Sequence, residues 1–416
     1  MTSPGSVHLR APAGEARSET EALEATARLL DLTVEHEILD GGSAARVFRA
    51  RAEDGAALAV KVLVERPGLV DGHDLAPFLR KLTQIDWARS GEPALGARYV
   101  PIAHAVRGDG WAAYTTAFHE SRDSAACLRD TGPGGLDTFL RRQVRIVKDL
   151  IVYGYGQAIG AAPPDYLATV LAGRFPRRAA MLARALPSQV VAADELVVNG
   201  VLCEAPGPLL ARLVASPPAW WTRSAPTRLM FPAHGDANTR NILVDLEDDP
   251  DGFLLIDPRG DTAFWDPVYD LAKMLFSLTV WDPAIRLGCD ARVSPGKPLR
   301  VEVGFRHPVF PGYRDAAHRF LPLLESMADL TGLLDGDPFW RDRLLLTHAL
   351  HVLAEAPCRL SDPKPKVDIA GAECTPRQLA LGHYLLGTLL LNDLVARLAG
   401  PGEVDVAAHL RLVTDS

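Results

Sequence analysis

The chain of 416 residues is poor in several features that mark whole classes of protein. Its five cysteines, Cys127, Cys203, Cys289, Cys358 and Cys374, are odd in number and include no CxxC pair, which argues against a disulfide framework and against a zinc site. No apolar run approaches the ~18 residues that a membrane span requires, and the opening MTSPGSVHLRAPAGEARSET lacks the apolar core of a signal peptide. The expectation is a cytoplasmic protein without a membrane role. A basic surplus is also missing: the net charge is -8 and the pI near 5.9, the wrong balance for a nucleic-acid binder. Small molecules are the expected partners, and the sequence is silent on oligomeric state. Lysine is scarce, with seven of the 44 basic residues, so each Lys carries more information than usual.

What is present is ordinary globular composition, 48% apolar and 23% charged, in a chain long enough for two lobes. Residues 1–18 are rich in Ser, Gly, Ala and Pro and read as a flexible tail. Helical spacing follows from Glu19 to Leu32. Val34 to Glu65 then alternates as two strands around a Gly-rich turn, with a second turn at Asp54-Gly55. A helix is expected over 74–90 and a further strand in GWAAYTTAFHES, Gly110 to Ser121. Beyond it the pattern turns helical from Leu136 to Val214 and again after Asp266. The clearest helix is TPRQLALGHYLLGTLLLNDLVARLAG, with Thr375 as N-cap, Pro376 at the first position and Gly400 as the stop. Its apolar residues cover nearly all faces, so it should be a core helix. The expected class is α+β, with a small β-rich N-lobe over 19–119 and a large, mostly helical C-lobe over 120–416.

Three candidate features carry chemistry. In DGGSAARVFRA the backbone N–H groups of Gly41, Gly42 and Ser43 could cradle phosphate oxygens, although an isolated Gly-Gly turn is as well explained as a plain hairpin. Lys61, in ALAVKVLVE, shares a strand face with Ala59 and Leu63. It is either an edge-strand charge or a phosphate partner, and lysine scarcity favours the second. The strongest signal is FPAHGDANTRNILVDLEDDPDGFLLIDPRGD, Phe231 to Asp261. Asp236 sits on a loop, Asn241 precedes the strand Ile242-Leu243-Val244, and Asp257 ends the strand Phe253 to Ile256. If the strands form a hairpin, Asn241 and Asp257 fall side by side and suit a shared Mg2+, which takes hard oxygen ligands. Asp236 then projects into the same space as a base. Capping and turn roles explain each residue singly but not all three.

HGD with Asn at plus five, followed by Ile-Asp-Pro and by DPVYDLA at Asp266 to Ala272, resembles the aminoglycoside phosphotransferase (APH) family of kinase-like enzymes. The resemblance spans most of residues 34 to 272. It implies a bilobal protein-kinase-like fold with ATP, or GTP, between the lobes and Thr116 and Phe118 on the hinge. It further implies Asp236 as the catalytic carboxylate, Asn241 and Asp257 as Mg2+ ligands, and Lys61 on the α- and β-phosphates. There are departures. Asp40, Gly42 and Ala45 stand at the three Gly positions of the protein-kinase loop. No Glu on the 74–90 helix is placed to pair with Lys61, which leaves Asp86 and Glu92 as candidates. Arg259 follows Asp257-Pro258, where a phosphate, the acceptor or a neighbouring carboxylate could be its partner.

Only eight residues separate Asp257 from Asp266, too few for an activation segment that would hold a peptide. A small-molecule hydroxyl is therefore the expected acceptor: an antibiotic, a sugar or a nucleoside-type metabolite. The acidic balance is compatible with a cationic aminoglycoside, whereas IDPRGD is more similar to members acting on sugar or nucleoside-type hydroxyls. Asp266 and Asp270 are expected to brace the catalytic loop, His234 to be a buried anchor, and His348 and His351 to be packed rather than metal-bound. The acidic run Asp245 to Asp251 reads as a solvated turn. The rival expectation is a catalytically silent kinase-like binding protein, motivated by the thin loop and the unplaced partner of Lys61.

Overall fold

The computed structural model describes residues 7–16, 18–38, 44–66, 74–130, 134–247, 249, 252–362 and 366–415. The Gly-rich turn residues Gly41, Gly42 and Ser43 lie outside the described residues.

The N-lobe is one six-stranded sheet between two helices. Its elements are β1 (Val7–Glu15), α1 (Glu19–Leu29), β2 (Thr33–Ile38), β3 (Arg46–Arg51), β4 (Ala57–Val64), α2 (Leu75–Ser90), β5 (Ile102–Asp109) and β6 (Trp111–Ala117). The strand order is β1-β5-β6-β4-β3-β2. The reading of residues 1–18 as a tail is corrected here, because β1 joins the sheet edge in parallel with β5, Leu9 opposite Val106. Edge pairing is carried by main-chain hydrogen bonds, so a composition rich in Ala, Gly and Pro concealed it. The Asp54-Gly55 turn joins β3 to β4 as expected, with Gly55 at φ +87° and Asp54 Oδ1 accepting from the Ala56 N–H at 2.9 Å.

Alternation along β4 divides its side chains between two environments. Val60, Val62 and Val64 pack with Ala22 and Leu23 of α1, Phe48 and Trp111. Lys61 and Leu63 take the other face, where Leu63 joins the cluster that holds Phe78, Leu82 and Ile85 of α2. Asp74 caps α2 by accepting from the Ala76 N–H at 3.1 Å.

The C-lobe is mostly helical but contains more strand than its pattern suggested. Glu195–Val198, Val201–Glu204, Cys289–Ser294 and Leu299–Phe305 form a four-stranded sheet, a correction to the helical readings of Leu136 to Val214 and of the chain after Asp266. Two long helices, Trp340–Ser361 and Pro376–Ala399, pack side by side through the core. The second starts at Thr375, whose capping box with Gln378 satisfies two terminal donors. Among the described residues it is the one helix long and apolar enough to cross a membrane by length and composition, and 72% of that window is buried inside the protein. All five cysteines are free.

The two long helices approach closely at Gly387. A Cβ placed there would lie 2.7 Å from the backbone Cα and N of Leu353, and backbone cannot yield as a side chain can. Gly387→Val is expected to lose about 1–3 kcal/mol of stability through overpacking, read by urea unfolding. Unchanged stability would show that the crossing relaxes.

Candidate active site

The loop and hairpin of Phe231 to Asp261 form as the sequence implied. Ile242–Val244 pairs antiparallel with Leu254–Leu255, Ile242 opposite Leu255. The Ile256 N–H donates to the Asn241 carbonyl at 3.0 Å, so Asn241 and Asp257 emerge together at one end. The Asn241 side-chain amide donates to the Asp236 carboxylate at 3.0 Å and to the Asp236 carbonyl at 2.9 Å, and it lies 3.5 Å from the Asp257 carbonyl oxygen. One amide thus bridges the two carboxylate-bearing loops. Asp257 holds a left-handed backbone, φ +53°, which costs a non-glycine residue about 1 kcal/mol or more and is retained by the contacts around it.

Lys61 and Asp257 face each other across the lobes, Nζ to Oδ2 at 2.6 Å. The other oxygen, Oδ1, is bonded by Lys81 of α2. Burial alone would raise the Asp257 pKa, but the two ammonium groups outweigh it and hold the carboxyl well below the usual range. Lys61 therefore finds its acidic partner in Asp257. Neither Asp86 nor Glu92 is that partner: among the described residues the charged neighbours acting on Asp86 are His8 and Arg89, and Glu92 caps a short helix through the Ala94 N–H.

The Asp236 side chain is 32% exposed against 13% for Asp257, which leaves it accessible to an incoming group. Its Oδ1 lies 3.1 Å from Lys273, a residue that burial makes less basic and Asp236 makes more so, with a net rise in pKa. Lys81 and Lys273 were missed from sequence, although lysine scarcity was their signal: three of the seven lysines converge on these two carboxylates.

The supporting residues behave as braces. Asp270 accepts from the Gly235 N–H at 2.8 Å and the Ala237 N–H at 3.3 Å, and its hydrogen bond with Tyr155 completes the clamp on the loop that carries Asp236. Burial pushes its pKa up to about 6 against those backbone donors. Asp266 caps the helix Pro267–Phe276 and pairs with buried Arg343 at 2.7 Å. His234 is fully buried, with Nδ1 accepting from the Asp236 N–H at 3.2 Å and Nε2 donating to the Ile256 carbonyl at 3.1 Å. Gly235 is required at φ +75°, since a Cβ there would sit 2.9 Å from the Arg259 Cβ. Arg259 donates to the Tyr269 hydroxyl at 2.6 Å and lies over the Trp265 and Tyr269 rings, an aromatic shelf that helps to position it. Gln84 of α2 was also missed. Its Oε1 accepts from the Gly260 N–H at 2.7 Å and its Nε2 donates to the His234 carbonyl at 3.2 Å, tying α2 to both functional loops.

The remaining expectations are placed as follows. Thr116 and Phe118 line the same cleft as Asp236, Asn241, Asp257 and Lys61. His348 and His351 have separate partners, Thr279 Oγ1 at 2.7 Å and the Tyr269 carbonyl at 3.3 Å. Asp245, at the start of the acidic run, is bonded by Arg142, so the run is anchored at that point.

The cleft between the lobes encloses about 740 Å³, within the range of small-molecule sites. Fold and cleft define a bilobal kinase-like architecture. The chain is similar to an aminoglycoside-3'-phosphotransferase of type VIII, at 20% identity over 63% of this chain and 83% of that one, with a TM-score of 0.39. It is similar to a putative fructosamine-3-kinase from Thermobifida fusca at 17% identity, covering 86% and 97%, with a TM-score of 0.39. An amicoumacin kinase in complex with AMP-PNP, Ca2+ and Ami matches at 11% identity, covering 80% and 85%, with a TM-score of 0.36. No protein-family model matches the chain, and no curated protein matches it.

The buried histidines make stability depend on pH. Burial lowers the pKa of His234 and of His383 to about 4 and of His348 to about 3, from 6.5. Depressed groups contribute stability that is complete above 6.5 and lost as pH falls through the folded values, at up to about 1.4 kcal/mol per pH unit per histidine. Asp270, raised from 3.8 to about 6, opposes this between those values. His351, also lowered by burial, adds to the loss, while Asp86, Asp266 and Asp342, whose carboxyls are raised, act on the side of Asp270; because the histidine shifts are the deeper ones, a net loss is expected between pH 6.5 and 4, measured by urea unfolding. A flat profile would mean the imidazoles are solvated.

Proposed function

We propose that the protein is an ATP-dependent, or GTP-dependent, O-phosphotransferase that moves the γ-phosphoryl group to a hydroxyl of a small molecule. Antibiotic, sugar and nucleoside-type acceptors are the class in view. The observation that carries this reading is the gathering of Asp236, Asn241 and Asp257 on one edge of the cleft with Lys61 opposite. Structural roles account for a brace such as Asp270 but give no reason to leave Asp236 half-buried at the cleft surface beside it.

In this reading Asp236 orients the acceptor hydroxyl and takes its proton, while Lys273 and Asn241 fix the carboxylate. Lys61 offsets charge on the nucleotide phosphates, and the backbone of Gly41, Gly42 and Ser43 supplies further donors. Thr116 and Phe118 border the base end. The donor set also fits a divalent ion: a carboxylate offers about four acceptor positions, two of which the lysines use on Asp257, and the Asn241 side chain reaches the same place, its amide nitrogen 3.5 Å from the Asp257 carbonyl. Asp257 and Asn241 would hold Mg2+, whose charge offsets that of the phosphate oxygens. Transfer through a loose transition state depends on positioning and electrostatics more than on the strength of the base.

A second reading, a silent nucleotide-binding protein, is favoured by one observation: both Asp257 oxygens already carry an ammonium group. Thermal shift with MgATP, then an acceptor panel read by an 80 Da-class phosphate mass gain (about the mass of one HPO3 unit), separates the two. Nucleotide binding without transfer or slow hydrolysis would favour the silent protein.

Asp236→Asn is expected to lower kcat by about 10²–10⁴-fold while MgATP still raises the melting temperature. Wild-type turnover in that variant would remove Asp236 from the chemistry. Asp257→Asn should abolish the Mg2+ dependence of nucleotide binding and also destabilise the fold by about 3 kcal/mol, because removing one partner strands buried charge. Intact Mg2+ dependence would reassign the metal ligand.

A further inference from the structure

The cleft is more basic than the chain that forms it. Among the described residues eleven Lys and Arg line it against six Asp and Glu, in a chain of net charge -8. Several of these cations are matched within the fold. Arg240 and Arg286 lie 3.1 and 3.0 Å from Asp282, and Arg359 lies 2.6 Å from Glu355. Lys273 faces Asp236.

Arg174 is different. It is only 9% exposed, yet among the described residues no carboxylate lies within ion-pair distance of it. Its Nη1 donates to the neutral ring of His351 at 3.0 Å, its guanidinium lies 5.7 Å from the centre of the Tyr269 ring, and its Nε has no hydrogen-bond partner. Arg259 lies over the same ring, also at 5.7 Å. Burial, and then the charges of Arg259 and Arg178, push the Arg174 pKa down despite the attraction toward Tyr269. Keeping a buried guanidinium without a counter-charge costs several kcal/mol, and packing on Tyr269 alone would be served by a neutral side chain. The missing negative charge therefore arrives with a ligand, at the end of the cleft where Lys273 and Asp236 meet.

We propose that Arg174, with Arg178 and Arg259, binds an oxyanion on the acceptor, a carboxylate or a phosphate group, beside the hydroxyl that Asp236 orients. The proposal rests on the phosphotransferase reading and narrows it, because a site with this surplus repels a cationic acceptor. Guanidinium groups suit both oxyanions through paired N–H donors.

The test uses the full chain saturated with Mg-AMP-PNP, so that the nucleotide end is filled before any anion is added. Inorganic phosphate, gluconate, neutral glucose and cationic kanamycin are then titrated at constant ionic strength and read by calorimetry. The expected result is binding of phosphate or gluconate, with the stronger of the two naming the source of the oxyanion, at least tenfold tighter than glucose or kanamycin. Arg174→Gln should weaken that anion at least tenfold, and Arg178→Gln, at a more exposed position, should weaken it without loss of melting temperature. The inference is overturned if kanamycin binds in preference to both anions, if neither anion binds, or if Arg178→Gln leaves the affinity unchanged. Failure of Mg-AMP-PNP itself to bind would instead overturn the phosphotransferase reading, which separates the two results.

Discussion

The carboxylate of Asp257 between Lys61 and Lys81 is the contact on which the rest of the molecule turns. It joins three parts of the chain that are distant in sequence: a strand of the N-lobe sheet, the helix beneath that sheet, and the end of a C-lobe hairpin. A lone carboxylate at this depth would be expelled or protonated, and without it the buried Lys61 would lose the counter-charge that faces it. Each charge is tolerable only because the others are present. The backbone follows the same constraint, for Asp257 is held at φ +53°, and Gly260 lets α2 approach to within the space of one Cβ, which would otherwise lie 2.1 Å from the Pro77 carbonyl.

Around that contact the site is built in two tiers. Asp236 and Asn241 face the cleft, and Asp270, His234 and Gln84 hold the loops that carry them. The second tier is buried: backbone donors satisfy Asp270, and burial keeps the His234 ring unprotonated by lowering its pKa to about 4. This division lets the loop present a half-buried Asp236 to the cleft while its base is held from behind. The Asp270 carboxylate accepts two backbone N–H groups of the loop and fixes its path whatever the cleft contains.

Much of this was legible in the sequence because the informative residues are close together there. His234, Asp236, Asn241 and Asp257 fall within one hairpin, where strand alternation and turn length determine who meets whom. Lys81, Gln84 and Lys273 belong to other elements, and their meeting with that hairpin is fixed by how α2 and Pro267–Phe276 dock, which local periodicity does not encode. β1 was hidden for a related reason, since a partly exposed edge strand needs no apolar alternation. The C-lobe sheet is a different case. Asn199-Gly200 joins two of its strands, with φ +49° and +82°, and such a pair between β-branched residues is a strong hairpin signal. The surrounding helical pattern outweighed it.

The distribution of charge in the cleft follows from the same economy. An acidic protein has carboxylates to spare, yet those lining this cleft are largely consumed: Asp257 by two lysines, Asp236 by Lys273, Glu355 by Arg359. Among the described cleft residues Arg174 stands out as buried with no carboxylate within ion-pair distance, and a charge in so buried a place counts for more than at the surface. Arg174 lies deeper, close to Lys273 and the aromatic shelf of Tyr269, beyond the lysines that face Asp257. On the proposed reading, charge placed there would serve the acceptor side of Asp236 rather than the nucleotide side.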